Sequence, residues 1–330
     1  MAPQAEKLVI VLGASGRQGG STARALLSTK EFKVRAISRA ITNPKLAELE
    51  SLGAELVQAS FDEPESLRAA FSGAYAIFAN TNFNSTRSVG IERQQGVNIA
   101  DAAAEVQSLR HFVWSGALDV ERMSDGKYKN VVHMKAKAEV AKYIKDQLLQ
   151  LGSKMTEVFV PPYFENWTLM PGLYGPVKGD NSLKLSLPVV GETFWPSVPI
   201  QDIGKIVRTV LENPEKTRGQ GVSASIEMLG FKDMLEQWGE VHEVAVEYEK
   251  MNPEEFESRN IASFAKPFGG EETAAVFVRA ASEQMQFMED ITMGRLSFQI
   301  VLQIRDIIGD DDVSLSWKQF ATRAYNNQRM

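Results

Sequence analysis

The sequence predicts an α/β protein, a doubly wound parallel sheet followed by a smaller α+β lobe. Three observations predict it. From residue 7, short β-rich runs alternate with amphipathic stretches, which is the pattern of parallel βαβ units. The β-runs are almost wholly apolar, as strands covered on both faces must be. The first of them closes on a glycine loop, 13-GASGRQGGS-21, that leads into a helix.

Taken in order, KLVIVLG is the first strand, and the stretch through TARALLS is its helix. FKVRAISR, AELVQAS and AYAIFAN are the next three strands, separated by the helical stretches NPKLAELESL and PESLRAAF. A longer helix is expected over about 86–106, then the strand HFVWSG, a helix over about 130–151, and the strand in MTEVFVPPYF. After residue 165 Pro and Gly cluster in MPGLYGPVKGD, and WPSVPIQDIGKIVRTVL reads as a strand and then a helix. Residues 224–265 mix short strands with an acidic helical stretch, NPEEFESR, that reads as a solvated face. The sheet domain is therefore placed at 1–165 and the lobe at 166–330, with about 195–225 returning to the sheet domain.

Composition removes several functions. The 330 residues carry a net charge of −6 and no dense block of Lys and Arg, which argues against direct contact with nucleic acid or an anionic membrane. There is no cysteine, so disulfides, thiolate catalysis and iron–sulfur clusters are excluded together. The start, MAPQAEKLVIVLG, reads as a first strand and not as a secretory signal. An intracellular protein is expected, in the cytoplasm or also in the nucleus. His111, His133 and His242 lack metal-ligand spacing, and Ser115 in WSGA has no G-x-S-x-G elbow around it.

The glycine loop carries the first specific chemistry. Gly13, Gly16 and Gly19 are spaced G-x-x-G-x-x-G between a strand and a helix, with Ser15, Arg17 and Gln18 in the same loop. Glycines here let the backbone approach a pyrophosphate, and the helix N-terminus offers its N–H groups to the phosphates. There is no Gly-Lys-Ser/Thr ending, so this is not a P-loop. The second strand ends in Ser38 and Arg39 where an NAD site usually has Asp or Glu. Arg39 and Arg17 together can embrace a 2′-phosphate, so NADP(H) is favoured over NAD(H). Phe61 and Asp62 end the third strand, where an adenine is flanked. Asn80, Thr81 and Asn82 end the fourth, beside the expected nicotinamide ribose.

In 131-VVHMKAKAEV-140, at about 100° per residue, Val140, Ala141, Ile144 and Leu148 form an apolar stripe centred on Lys137 and reaching His133. Lys135 and Lys142 point the other way. A lysine at the seam of helix and sheet needs a polar partner, which a cofactor ribose, a phosphate or a substrate oxygen supplies; the plain alternative is a stem that snorkels to water. His133 and Lys137 are i, i+4 neighbours and can act as a pair.

The glycine loop GASGRQGG, the strand end VRAISR, the segments GAELVQASFDEPESL and IERQQGVNIADAA, and HMKAKAEVAKYI followed by VPPYFEN together resemble the NmrA-like family, atypical relatives of the short-chain dehydrogenases. The likeness runs from about residue 7 to about 250. It implies a Rossmann domain with a smaller lobe and the cofactor between them. The short-chain dehydrogenases carry Tyr-x-x-x-Lys on this helix, and here His133 stands in the tyrosine's place; Tyr174 to Lys178 has the spacing, but Gly175 and Pro176 break any helix there.

The resemblance implies a dinucleotide-binding redox sensor whose cofactor state alters its grip on a protein partner such as a transcription factor. The alternative it implies is an NADPH-dependent reductase of a small aromatic, enone or carbonyl substrate, with Lys137 or His133 as the proton donor. Tyr163, Phe164 and Asn166, just after the sixth strand, are then expected to line the pocket above the nicotinamide.

Overall fold

The computed structural model describes residues 7–297, 302–308 and 315–329. In its first half β1 (Lys7–Leu12), α1 (Arg17–Leu27), β2 (Phe32–Ser38), α2 (Pro44–Ser51), β3 (Glu55–Gln58), α3 (Pro64–Phe71) and β4 (Ala76–Ala79) alternate without interruption. Then come α4 (Phe83–Thr86), α5 (Val89–Ala104), β5 (His111–Gly116), α6 (Val120–Met123), α7 (Val132–Gln147), α8 (Leu149–Gly152) and β6 (Met155–Phe159). The helix expected over 86–106 begins only at Val89. Arg87 is left-handed at φ 52°, and Ser88 caps the new helix by accepting from the Ile91 N–H. The one expected over 130–151 is likewise divided, at Leu148, whose φ and ψ of −117° and 58° are not helical.

The second half contains α9 (Asn166–Leu169), β7 (Val177–Lys178), β8 (Ser182–Leu187), β9 (Phe194–Ser197), α10 (Ile200–Glu212), α11 (Pro214–Thr217), β10 (Gly221–Ser223) and β11 (Glu227–Gly230). It continues with α12 (Phe231–His242), β12 (Ala245–Lys250), α13 (Pro253–Phe268), α14 (Glu271–Thr292), β13 (Leu302–Gln303), α15 (Ile304–Ile308) and α16 (Trp317–Arg329). No helix among the described residues is long and apolar enough to cross a membrane.

Eight strands form one sheet in the order β13-β10-β6-β5-β4-β1-β2-β3, and every pairing in it is parallel. Its two faces explain the apolar strands. On β1, Val9 and Val11 pack in one cluster with residues of α1, α2 and α10, while Ile10 and Leu12 pack in another with residues of α3, α5 and α7. A strand buried on both sides has no solvent position to fill with a polar residue.

The return to the sheet differs from the sequence expectation in its limits. Residues 194–197 form β9, which pairs antiparallel with β11 in a separate ribbon. The return begins with α10, which lays its apolar residues against α1, and continues through β10 beside β6. A second return, β13 beside β10, comes from residues assigned by sequence to the lobe. Residues 1–6, 298–301, 309–314 and 330, at the margins of those assignments, lie outside the described residues. The lobe holds the three-stranded sheet β12-β8-β7. Its core includes Phe164, Trp167, Trp195, Trp238 and Trp317, with the Trp167 and Trp317 rings 4.9 Å apart.

Candidate functional site

The sheet runs outward in both directions from β1, to β2 on one side and β4 on the other. Loops leaving β1 and β4 therefore diverge, and a crevice opens at the carboxyl ends of the strands. A cleft of about 840 Å³ occupies this place. Gly13, Ser15, Gly16, Arg17 and Gln18 after β1 line it, as do Arg39, Phe61, and Asn80, Thr81 and Asn82, each following a strand.

The glycine loop is as tight as its sequence predicts. Gly13 takes φ +63°, and the Gly16 N–H bonds back to the Gly13 carbonyl at 2.8 Å. A Cβ on Gly19 would lie 2.3 Å from that carbonyl oxygen, so only glycine lets α1 start so close to the end of β1. Arg17, Arg39 and Lys45 are exposed cations lining one end of the cleft. Sequence reading missed Lys45. It sits at the start of α2, where Asn43 caps its own N–H, and neither periodicity nor spacing links it to Arg39.

Gln18 turns inward from the loop. Its Nε2 donates to the Tyr163 hydroxyl at 2.9 Å, and its Oε1 accepts from the Ser115 hydroxyl at 2.8 Å. One amide thus ties the glycine loop to the ends of β5 and β6. Burial pushes the Tyr163 phenol up, with Gln18 opposing, which leaves it protonated. The Arg17 guanidinium lies 6.0 Å from the Tyr163 ring centre.

Across the cleft, α7 presents Lys137 and His133. Val140, Ala141 and Ile144 of the same helix are buried, whereas Lys142 is exposed and pairs with Asp146, so the helical face drawn from the sequence is the one that packs. Lys137 Nζ donates to the Thr81 carbonyl at 2.9 Å, to the Thr81 hydroxyl at 3.0 Å, and to Glu92 Oε1. Burial holds the ammonium below the ordinary lysine range, and Glu92 opposes that shift. Glu92 of α5 is fully buried and was not foreseen, since a carboxylate in the first turn of a helix reads as a dipole partner.

His133 is half-buried and hydrogen-bonded to Gln284 of α14. Burial first, and the charge on Lys137 second, push it down to about 4. At neutral pH the ring is therefore an uncharged imidazole.

Three expected residues do not line the cleft: Gly19 is buried against the Gly13 carbonyl behind the loop, and Phe164 and Asp62 are turned elsewhere. Phe164 does not reach the cleft; it is 1 % exposed, with its ring 5.2 Å from that of Trp317 in the lobe core. Tyr163 and Asn166 do line the cleft, and the chain turns between them. Asp62 is also absent from the lining: its carboxylate accepts from Gln95 Nε2 at 2.9 Å, which turns it toward α5. Asn82 lines the cleft but spends its side-chain oxygen on the Asn84 N–H as the cap of α4. Asn80 keeps a buried Oδ1 with no partner. Tyr174 and Lys178 are on a loop and on β7, not on one helix.

Beyond His133 the cleft becomes apolar. Phe83, Met134, Trp195, Phe277, Phe287 and Met288 line this chamber, three of them from α14. Sequence gave no signal for it, because α14 meets the cleft only through the fold of the lobe.

A model of the NmrA-like family matches residues 5–307. This chain belongs to the NmrA-like family. Among NmrA-like relatives, the oxidoreductase cpsB of Aspergillus campestris is 33% identical over 251 residues, 71% of this chain and 73% of its own. An NmrA-like family domain-containing protein of Dictyostelium discoideum is 30% identical, over 76% of this chain and 82% of its own.

Solved structures share this fold over nearly the whole chain. NmrA, a negative transcriptional regulator in complex with NAD, superimposes with a TM-score of 0.74 at 20% identity, covering 98% of this chain and 97% of its own. The leucoanthocyanidin reductase–NADPH complex of Vitis vinifera gives 0.72 at 15% identity, covering 97% and 99%.

Proposed function

We propose that this NmrA-like protein is an NADPH-dependent oxidoreductase that reduces a flat, apolar aromatic, enone or carbonyl compound. The lining carries the reading: the cleft that holds the glycine loop also holds an apolar wall from α14, Phe277, Phe287 and Met288, and Gln284 of the same helix bonds to His133. A protein that only sensed a nucleotide would have no use for that wall. Cofactor-bound structures of NmrA and leucoanthocyanidin reductase, and the oxidoreductase names of its relatives, support the nicotinamide half of the proposal.

The residues present fit such a cofactor. Gly13, at φ +63°, and the exposed Gly16 leave the loop backbone bare toward the cleft, and Asn80 Oδ1 is an orphaned acceptor in the cleft wall. Arg17, Arg39 and Lys45, with no carboxylate at the end of β2, suit a 2′-phosphate. The bound dinucleotide would supply a hydride. The protein orients the acceptor between aromatic side chains, keeps water out, and offers N–H donors to the oxyanion that forms. The uncharged His133 can stabilise that oxyanion by hydrogen bonding, and Lys137 holds a transferable proton.

The test is consumption of NADPH against a panel of aromatic enones and quinones, with the reduced product identified by mass spectrometry. Saturable turnover with NADPH preferred over NADH, and a preference that weakens in Arg39→Ala, is the expected result; unchanged preference would remove the phosphate clamp from the proposal.

One observation favours the sensor reading. All three N–H bonds of Lys137 are already engaged by Thr81 and Glu92. Tight nucleotide binding without turnover of any acceptor, together with nucleotide-dependent capture of a protein partner, would make the redox sensor the better description.

A further inference from the structure

The geometry points to Glu92 as the positioning residue of this site: from behind α7 it fixes the charge of Lys137 and the distance that its ammonium can reach into the cleft. Glu92 lies in the run IERQQG of α5, and its partner Lys137 lies on α7.

The two helices meet at Gly96, where a Cβ would lie 2.5 Å from Val140 Cγ2 and 3.2 Å from the Trp114 ring. That close approach brings Glu92, one turn earlier on α5, against Lys137 on α7. Glu92 has no exposed surface, and the lysine side chain is 14% exposed. A buried carboxylate is retained at reasonable cost only with a partner of opposite charge, and Lys137 is that partner. The Thr81 hydroxyl completes the cluster by donating to the same oxygen, Glu92 Oε1, at 2.7 Å. The other oxygen, Oε2, is buried without a partner.

An ammonium has three N–H bonds, and here they go to the Thr81 carbonyl, the Thr81 hydroxyl and Glu92. To reach a hydroxyl or an oxyanion in the cleft, Lys137 must release one of them. The two Thr81 acceptors are uncharged and hold the ammonium less strongly than the Glu92 carboxylate does. Lys137 therefore swings about Glu92, and Thr81 yields. The charged or titratable groups that act on Lys137 are Glu92 from α5 and His133 from its own helix. Arg93 and Glu139 join the same two helices through a partly exposed pair.

Without the carboxylate, a lysine already held low by burial loses the one charge that opposes the shift, so its proton leaves at lower pH. The consequence for turnover rests on the oxidoreductase reading; the effect on Lys137 itself does not.

The experiment compares the parent protein with Glu92→Gln, Lys137→Met and the double variant. NADPH affinity, followed by its fluorescence across alkaline pH, should weaken at a pH about one unit lower in Glu92→Gln, a roughly tenfold loss of the charged lysine at a given pH. Each single variant should lower the urea midpoint, and the double variant should regain most of that loss, because no charge is left unpaired. If Glu92→Gln does not fold, Glu92→Asp, whose shorter carboxylate stands farther from Lys137, should move the alkaline limb the same way by less, and the coupling is read from Lys137→Met, Glu92→Asp and their double variant. An alkaline limb that coincides with the parent's, or single losses that simply add in the double variant, would overturn the role of Glu92. Absence of turnover in the parent protein would overturn the oxidoreductase reading alone, leaving the binding limb and the stability coupling to judge Glu92.

Discussion

Gly19 and His111 show how single residues set limits that the rest of the molecule must respect. The Gly13 backbone stands where a Cβ on Gly19 would go, and backbone cannot rotate away as a side chain can. Gly19→Ala should cost about 1–3 kcal/mol of stability and weaken NADPH binding at least about tenfold, read by urea unfolding and fluorescence titration. His111, 1% exposed, opens β5. Thr156 Oγ1 gives its own proton to the Thr217 carbonyl at 2.7 Å, so it can only accept from His111 Nε2, also at 2.7 Å. Nε2 therefore carries the proton of this hydrogen bond, and burial, followed by the charge of Arg218, pushes the ring down to about 3, which leaves it uncharged at neutral pH. Unfolded, the same histidine takes up a proton near pH 6.5, so between about 6.5 and about 3 the unfolded chain binds more protons. Stability is fully present above that window and falls by up to about 1.4 kcal/mol per unit as pH drops through it. A urea midpoint that declines less steeply between neutral and mildly acid pH in His111→Gln checks this; the flattening should be partial, since His133 is pushed in the same direction.

Between elements, the contact of α1 with α10 holds the returning segment on the sheet. A Cβ on Gly204 would lie 2.1 Å from the Ser21 carbonyl oxygen, while the Ser21 hydroxyl donates to the Gln201 carbonyl at 2.9 Å and accepts from the Gly204 N–H at 3.0 Å. Gly204→Ala should force the helices apart and destabilise by about 1–3 kcal/mol. Ser21→Ala should cost about 1 kcal/mol through the two lost hydrogen bonds, both measured by urea unfolding. The helix around Gly204 is legible in PIQDIGKIVRTVL from its period, but the crossing is not. A glycine inside an amphipathic pattern has no sequence mark that separates tolerance from need. The same holds for α5 and α7, whose apolar stripes announce helices but not that Gly96 brings Glu92 against Lys137.

At the scale of the whole molecule, the chamber exists because the lobe folds back over the sheet. Asp290 of α14 accepts from the Tyr128 hydroxyl at 2.7 Å and from Arg295 at 2.9 Å, and pairs with Lys127. These contacts pin the segment before α7 to the lobe. Asp290→Asn should lower stability by about 1–3 kcal/mol, the exposed cations limiting the loss, with NADPH affinity changed less than about twofold because the glycine-loop end is untouched. For the parent protein, NADPH at about 100 times its Kd should stabilise by about 2.7 kcal/mol, visible as a rise in thermal midpoint. No rise would remove the dinucleotide from the proposed function.

By itself the sequence determined the parallel sheet, the glycine loop, the cation in place of an acid at the end of β2, and the inward face of α7. Each of these is local: a period, a spacing, or a residue type beside a strand end. Only the tertiary structure decided that Tyr163 faces the cleft and Phe164 the lobe core, that Asp62 turns to Gln95, and that β13 comes back to the sheet. The partners of Lys137 were likewise decided there, because Thr81 and Glu92 are 56 and 45 residues from it in the chain. The helical wheel identified Lys137 as a lysine that needed company. It could not say that the company is a buried carboxylate, since burial is a property of the packed chain and not of any segment of it.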